Sequence, residues 1–158
     1  AVDGRNMVSV VRDRKSSTTY ARFYTLRNNE WIIKNTFLEE RAGHWESVVA
    51  LSGNTAFVGF PHANDDGGVA FVYEQNRLGD WVKADNPFLH DGEASHSRFG
   101  YSVDIDGDVA CVGDSDEIHL FRRDGAKWVQ FDRVDVYRFP TCSIAGDTIA
   151  IEGGNSIF

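Results

Sequence analysis

Short apolar runs alternate with polar turns along most of the chain. Val, Ile, Phe, Tyr and Thr are enriched in these runs, and turn residues recur about every eight to twelve positions, a pattern that is typical of β-strands. No window keeps the apolar period of about 3.6 residues that an amphipathic α-helix needs. The best helix candidate is RNNEWIIKNTFLEE, residues 27–40, and its place in an internal repeat predicts a strand instead.

The internal repeat is visible in three segments that share one order of residues, 45–59, 99–113 and 139–153. Each segment has an aromatic residue and a short alternating run, followed by a tight turn of the Gly-Asn or Gly-Asp type. A small apolar run then ends near a glycine. Two strands joined by a tight turn are therefore expected in each segment.

A second element recurs between these segments: an apolar strand, a polar turn, and a tryptophan that opens the next strand, at Trp31, Trp81 and Trp128. The repeat unit thus holds four short strands. The chain is predicted to be a single repeat domain, 1–158, whose units are 1–44 (partial), 45–98, 99–138 and 139–158 (partial). The recurrence of the tryptophans at one repeat position indicates a packing role rather than stacking on sugars.

The apolar pattern within a unit predicts how the strands are covered. The second strands, TAFVGF and VACVG, and the third strand, VAFVY, are apolar or small at nearly every position. A sheet with one wet face would alternate instead, so these strands are expected to be covered on both faces. The fourth strands are more polar and should lie outermost. The sequence therefore predicts an all-β, β-propeller-like fold of about three four-stranded blades.

One turn segment also carries a family resemblance, through Phe99-Gly100, Ser102-Val103, Gly107-Asp108 and Val112-Gly113. Together these pairs resemble the FG-GAP repeat of integrin-α-like β-propellers. The segment VVALSGNTAFVGFP, residues 48–61, is similar to a short-turn version common in bacterial and algal secreted proteins. The resemblance covers residues 45–153 well and residues 1–44 loosely, and it departs where Trp45-Glu46 and Phe139-Pro140 replace the Phe-Gly pair.

The resemblance implies a ring of about seven blades and an exported or extracytoplasmic setting: secreted, at the cell surface or in an organelle lumen. An open arc of about three blades would leave a blade face and strand edges bare, which favours association. We therefore expect the chain to be part of a longer polypeptide, or to close its ring with other chains. Protein partners are expected to bind through loop faces or open blade faces.

Charge and cysteine content narrow the picture. The net charge of −8 argues against nucleic acid and against anionic lipid as partners. No apolar run reaches the length of a membrane-spanning helix. Cys111 and Cys142 both lie in apolar strand-like runs, which predicts buried free thiols rather than a disulfide framework and leaves the redox compartment open.

The turn at residues 104–108 carries three carboxylates and raises the question of calcium. Integrin-type calcium loops lie between the first and second strands of a blade and use Asp-x-Asp-x-Asp-Gly with further oxygen ligands. Here the connection is only Asp106-Gly107-Asp108, and its counterparts are Ser52-Gly53-Asn54 and Ala145-Gly146-Asp147. All three are typical of tight hairpin turns, so we favour a turn over a metal loop.

Two other acidic loops are better candidates for calcium. Both follow a second strand, and their oxygen-bearing residues are Asn64, Asp65 and Asp66 in one and Asp114 and Asp116 in the other. The alternative for both is a solvated loop without metal, and no other cofactor is predicted. The stretch from His90 to His96 offers histidines and acids for zinc, but its spacing is not that of a helical HExxH motif, which favours a plain connection between blades.

No pattern for nucleophilic catalysis or nucleotide binding occurs: there is no Gly-x-Ser-x-Gly elbow, no cysteine beside a histidine and no Walker or dinucleotide loop. The chain is predicted not to be an enzyme. The leading hypothesis is a non-enzymatic protein-interaction or scaffold module. The alternatives are a peripheral subunit docked on a large membrane-associated assembly, and a carbohydrate-binding or adhesion propeller.

Overall fold

A computed structural model describes residues 1–16, 18–39, 46–84 and 96–153, which form four antiparallel sheets and one short helical turn. The first sheet contains β1 (Val2–Asp3), β2 (Asn6–Asp13), β3 (Thr18–Arg27) and β4 (Glu30–Leu38). The second contains β5 (Val48–Ser52), β6 (Thr55–Phe60), β7 (Val69–Gln75) and β8 (Trp81–Lys83), with α1 (Ala63–Asp66) between β6 and β7. The third contains β9 (Ser102–Asp106), β10 (Val109–Gly113), β11 (Glu117–Asp124) and β12 (Lys127–Asp135), and the fourth β13 (Thr141–Ala145) and β14 (Thr148–Glu152).

Strand order within each sheet follows the chain, so the three four-stranded sheets are meanders and the fourth sheet is a hairpin. The predicted all-β fold is confirmed, and the candidate helix around Trp31 is the strand β4, as its place in the repeat predicted. None of the four sheets closes on itself. We call the side of a sheet that packs on the following sheet its front face, and the side toward the preceding sheet its rear face.

The second strand β6 shows why the sheets stack. All six of its residues are buried. Because side chains alternate along a strand, Val58 and its rear-facing neighbours pack with Phe23 of the first sheet, whereas Phe57 packs with Val103 of the third. The second sheet is therefore covered on both faces, as its unbroken apolar pattern predicted. Strand β12 is mostly exposed, which confirms that this fourth strand lies outermost.

Glycines set the closest approach between neighbouring sheets. A Cβ atom on Gly59, at the end of β6, would lie 2.1 Å from the carbonyl oxygen of Gly100, just before β9. The same contact recurs one interface later, where a Cβ on Gly113 would lie 2.9 Å from the carbonyl oxygen of Pro140. The repeated glycines thus have a steric cause: the backbone leading into each sheet passes directly over the end of the previous second strand.

Hydrogen bonds also link the first hairpins of successive sheets. The residue before each turn accepts the amide proton of the turn glycine in the next sheet: Asp3 from Gly53 (2.5 Å), Ser52 from Gly107 (3.0 Å) and Asp106 from Gly146 (2.7 Å). Asp104 bonds forward too, because its Oδ2 accepts the amide of Ile144 at 2.7 Å. The predicted hairpin is confirmed, since Asp106 pairs with Val109 across the turn, and its acids stack one sheet on the next.

The prediction of free thiols was wrong. Cys111 of β10 and Cys142 of β13 form a disulfide, with their Cα atoms 6.4 Å apart. The two residues are 31 positions apart in the chain and lie in different sheets. Only the stacking of the fourth sheet on the third brings the front face of β10 opposite the rear face of β13, where both cysteines join one buried cluster with Ile118 and Ile144.

The disulfide is expected to stabilise the contact between the third and fourth sheets. Replacing both cysteines, Cys111→Ala with Cys142→Ala, should lower the free energy of unfolding by about 3–4 kcal/mol, because the bridge closes a loop of some thirty residues in the unfolded chain. Urea unfolding of the oxidised protein and the double variant measures this. Dithiothreitol should destabilise the wild type and leave the variant unchanged. Two reactive thiols in the unfolded, unreduced wild type would contradict the assignment.

The glycine contact between the second and third sheets should tolerate no side chain. Gly59→Ala is expected to cost about 2–3 kcal/mol, because the added methyl group forces two backbones apart. The control is Gly146→Ala, where nothing lies within 4 Å of the new Cβ and only a positive φ of 56° is strained. That change should cost about 1 kcal/mol. Equal losses for both variants in denaturant unfolding would show that Gly59 is not limited by packing.

Candidate functional site

The first predicted calcium loop contains the short α1 turn. Asn64, Asp65 and Asp66 all adopt left-handed backbone conformations, with φ of 52°, 56° and 64°. Asn64 and Asp65 are exposed, whereas Asp66 approaches His62, with Oδ1 and Nδ1 2.6 Å apart. This hydrogen bond holds the pKa of Asp66 below its usual range. Within the described ranges, neither Asp65 nor Asp66 joins a group of three His, Cys, Asp or Glu ligands.

The second predicted calcium loop separates its two aspartates. Asp114 is only 2% exposed, whereas Asp116 is exposed. The Oδ1 atom of Asp114 accepts the amide protons of Asp116 (2.8 Å) and Glu117 (2.7 Å), which closes the turn between β10 and β11. Asp116 therefore contributes its backbone, and the two carboxylates do not converge.

Asp114 instead joins two residues of β11, Glu117 and His119. These two lie two positions apart on a strand, so they share one face, and the tight turn brings Asp114 beside them. His119 Nε2 is 3.1 Å from Asp114 Oδ2 and 3.5 Å from Glu117 Oε2. The candidate ligand atoms of the three side chains all lie within 4.8 Å of one another. Two carboxylates and an imidazole in this arrangement can bind a divalent metal ion.

The surroundings of this cluster fix its members. Burial raises the pKa of the Asp114 carboxyl, but the hydrogen bond with His119 and the two turn amides outweigh it, so the pKa is lowered. His119 is 3% exposed; its Nδ1 atom lies 3.4 Å from Gln130 Oε1, and its ring meets the Phe99 ring edge-on. The sequence pointed to Asp114 but missed Glu117 and His119, for which the Glu-x-His spacing after an acidic turn was the available signal.

A second buried polar group joins the first and second sheets. Glu39, just after β4, is 3% exposed. The hydroxyl of Tyr73 donates to Glu39 Oε1, and the ammonium of Lys83 pairs with Glu39 Oε2. The Lys83 nitrogen also lies 3.5 Å from the centre of the Phe71 ring. The polar side-chain atoms of Glu39, Tyr73 and Lys83 are thus paired with one another, and these contacts link the first sheet to the second.

The first sheet has an open rear face, on which no other sheet packs among the described residues. Val8, Ala21, Phe23 and Phe37 pack toward the second sheet, so the alternate side chains of β2, β3 and β4 point the other way. This open face carries Met7, Val11, Tyr20, Tyr24, Leu26, Trp31, Ile33 and Leu38, with Ser9, Arg22 and Thr36 in a central polar row. Trp31, Ile33 and Leu38 are 39%, 52% and 47% exposed. A partly exposed apolar ladder of this kind is a candidate interaction surface.

The possible zinc-binding stretch from His90 to His96 is not tested by the structure, because its residues 90–95 lie outside the described residues.

A scan against protein-family models gives no match, and a search of the curated proteins gives none either. Among the helices of the described residues, none has both the length and the apolar character needed to cross a bilayer.

The buried Tyr73 hydroxyl gives a pH-dependent contribution to stability. Burial, the Glu39 charge and the hydrogen bond to Glu39 all raise the pKa of Tyr73. The folded protein thus keeps a proton that the unfolded chain loses above about pH 10, so this contribution is complete below that pH and falls progressively as the pH rises above it toward the raised pKa of the folded state. Tyr73→Phe should flatten the decline of the free energy of unfolding in urea between about pH 9 and pH 11.

The matched control for this measurement is Tyr20→Phe, which removes a tyrosine hydroxyl from the open face of the first sheet. Both variants contain the same number of tyrosines, so background titration is equal. At neutral pH the Tyr73 variant should also be less stable by about 1–3 kcal/mol, because buried Glu39 loses a donor. Identical alkaline slopes for the two variants would rule out this role for Tyr73.

Proposed function

We propose that this protein is a non-enzymatic protein-interaction or scaffold module of the FG-GAP propeller type. Its binding surface is the open rear face of the first sheet, and the partner is a second copy of the chain, bound head to tail. In this arrangement the front face of the fourth sheet of one copy covers the rear face of the first sheet of the next. The proposal rests on one observation: Trp31 is exposed at a repeat position whose counterparts are packed against a preceding sheet.

The counterparts of Trp31 are defined by strand register. Trp31 pairs with Leu26, Trp81 with Gln75, and Trp128 with Arg123, each between the third and fourth strands of its sheet. The Trp81 ring stacks on Phe23 with centroids 4.5 Å apart, and the Trp128 ring meets Phe57 edge-on at 5.1 Å. Both contacts cross from a rear face to the front face of the preceding sheet. Trp31 lies on the same kind of face without a preceding sheet among the described residues.

The fourth sheet offers a complementary surface. Its front face carries small side chains and one acid, all exposed: Thr141, Ser143, Ala145, Thr148, Ala150 and Glu152. The Ser143 hydroxyl turns back to donate to Asp104 of the third sheet, at 3.1 Å. Small side chains can accommodate the large ones of the open face, since interdigitated packing alternates large and small residues. Charge is complementary as well, because Arg22 lies in the centre of the open face and Glu152 on the opposing one.

The contact between copies should be weaker than the three contacts within the chain. Each internal contact has a side-chain oxygen that accepts the amide of the next turn glycine, from Asp3, Ser52 or Asp106. The fourth sheet has Ala145 at this position, so the amide of Gly4 in the next copy would have no side-chain oxygen to which it could donate. We therefore expect reversible, concentration-dependent assembly. Such a head-to-tail contact forms a ring where the rotation closes and a filament where it does not.

The disulfide supports an exported or extracytoplasmic setting, because disulfides persist in oxidising compartments and are rare in the cytosol. The FG-GAP assignment is supported by the close contact between the second and third sheets, where Gly59 of the Val58-Gly59 pair meets Gly100 of the Phe99-Gly100 pair. A peripheral subunit of a membrane assembly and a carbohydrate-binding propeller stay predictions.

Sedimentation velocity over a range of concentrations tests the proposal. The wild type should sediment as two or more copies of the 17.7 kDa chain, whereas Arg22→Glu and Glu152→Arg should each weaken assembly about tenfold or more by placing like charges together. Mixing the two variants should restore assembly, because each contact between one variant and the other joins opposite charges. Arg14→Glu, in an exposed turn away from the face, is the charge-matched control.

A wild type that stays a monomer at every concentration would overturn the proposal. Assembly by Arg22→Glu and Glu152→Arg that matches the wild type would also overturn it, since it would place the contact elsewhere. Failure of the mixture to assemble, with both single variants folded and monomeric, would reject the head-to-tail arrangement.

A further inference from the structure

We propose that Asp114, Glu117 and His119 form a binding site for a first-row divalent transition metal ion, for which Zn²⁺ is the natural probe. The site lies at the turn between β10 and β11, away from the open face of the first sheet. It is therefore independent of the proposed assembly of copies. Its ligand set is two carboxylate oxygens and one imidazole nitrogen.

The hydrogen bonds around His119 carry the proposal. Oxygen atoms approach both ring nitrogens of His119, whereas a neutral imidazole has only one N–H to donate. Gln130 Oε1 lies 3.4 Å from Nδ1, and two carboxylate oxygens lie 3.1 Å and 3.5 Å from Nε2. The nitrogen and the two carboxylate oxygens need a positive centre between them, which is either a proton on Nε2 or a metal ion.

Glu117 distinguishes these two cations. A proton on Nε2 satisfies Asp114 at 3.1 Å, but the Oε2 atom of Glu117 is buried and has no hydrogen-bond partner. Arg133 Nη1 lies 3.6 Å from this oxygen, which is close enough to offset charge but beyond a hydrogen bond. An unsatisfied buried carboxylate oxygen is costly. A metal ion in the centre of the cluster would be ligated by all three side chains at once.

Neighbouring side chains and backbone amides orient the three proposed ligands. Metal-binding histidines commonly donate their second ring N–H to an oxygen, and Gln130 Oε1 lies 3.4 Å from His119 Nδ1, where it can accept such a bond. The second oxygen of Asp114 is held by the turn amides of Asp116 and Glu117, which orients the other oxygen toward the cluster. The Glu117 side chain is 20% exposed, against 2% for Asp114 and 3% for His119, so its side of the cluster gives an ion access from solvent.

The donor set selects the class of metal. Calcium takes six to eight oxygen ligands, and Asp114 Oδ1 is already occupied by two amides. Imidazole with carboxylates suits zinc and its first-row neighbours, and three protein ligands leave a fourth position for water. Zn²⁺ should therefore bind in preference to Ca²⁺ and Mg²⁺, which differs from the calcium predicted from the sequence for this loop.

Isothermal titration of the metal-free full chain with ZnCl₂ tests the site. The wild type should bind one equivalent, and excess CaCl₂ should not displace it. Glu117→Gln should weaken Zn²⁺ binding about tenfold or more, because it replaces a charged ligand with a neutral amide of the same shape. Asp116→Asn is the matched control: it removes the same formal charge one residue away, from an exposed side chain outside the cluster, and should bind like the wild type.

A second measurement uses only the wild type, in case Glu117→Gln does not fold. Paramagnetic Co²⁺ added to the ¹⁵N-labelled protein should broaden the amide signals of residues 113–119 before those of the first sheet. No saturable Zn²⁺ binding by the wild type would overturn the proposal. Equal affinities for Glu117→Gln and the wild type, or Co²⁺ broadening that begins in the first sheet rather than around this turn, would overturn it as well.

Discussion

Face-to-face packing of consecutive sheets is the interaction on which the rest of this structure depends. A strand such as β6, apolar on both sides, is stable only when a sheet covers each face. The stacking brings Trp81 onto Phe23 in one interface and Trp128 onto Phe57 in the next. At the ends of β6 and β10, the backbone of the next sheet comes so close that only glycine fits, at Gly59 and Gly113. Every other feature, including the open face of the first sheet, follows from this stacking.

Apolar packing alone would not decide which residues of two sheets face each other, because it is non-directional. Hydrogen bonds, ion pairs and a disulfide are directional, and each interface between two sheets contains at least one of them. Glu39 joins the first two sheets through Tyr73. Arg123 reaches from the third sheet to Glu74 of the second, at 2.6 Å. The disulfide and Asp104 hold the fourth sheet on the third. These contacts fix how the residues of each sheet are aligned with those of the next.

The stacking also builds the metal-binding cluster that we propose. The turn after β10 lies between the segments that lead into the third and fourth sheets, since the amide of Ser115 donates to the carbonyl of Ser97 and the carbonyl of Ser115 accepts from Phe139. Asp114 and His119 are consequently buried at an interface rather than presented on a free loop. A turn held from both sides keeps its ligands in position before any ion arrives, which lowers the entropy lost on binding.

The sequence by itself determined the local structure, because alternation, turn glycines and recurring tryptophans are local signals. They were sufficient for the all-β class, the four-stranded units, the covered second strands and the tight turn at Asp106-Gly107. The sequence also identified Asp114 as a candidate ligand. It could not show that Asp116 points away from Asp114 while Glu117 and His119 point toward it, since that depends on side-chain direction after a turn.

Only the tertiary structure decided the contacts between sheets. The sequence shows only that Cys111 and Cys142 each lie in a strand. They form a disulfide because the third and fourth sheets pack with these two residues opposite each other. Glu39 meets Tyr73 and Lys83 for the same reason, since it lies 34 and 44 positions away from them in the chain. Pattern along a chain specifies which face of a strand is apolar, but not which residue of another sheet will lie against it. That choice is made by the close packing of whole faces.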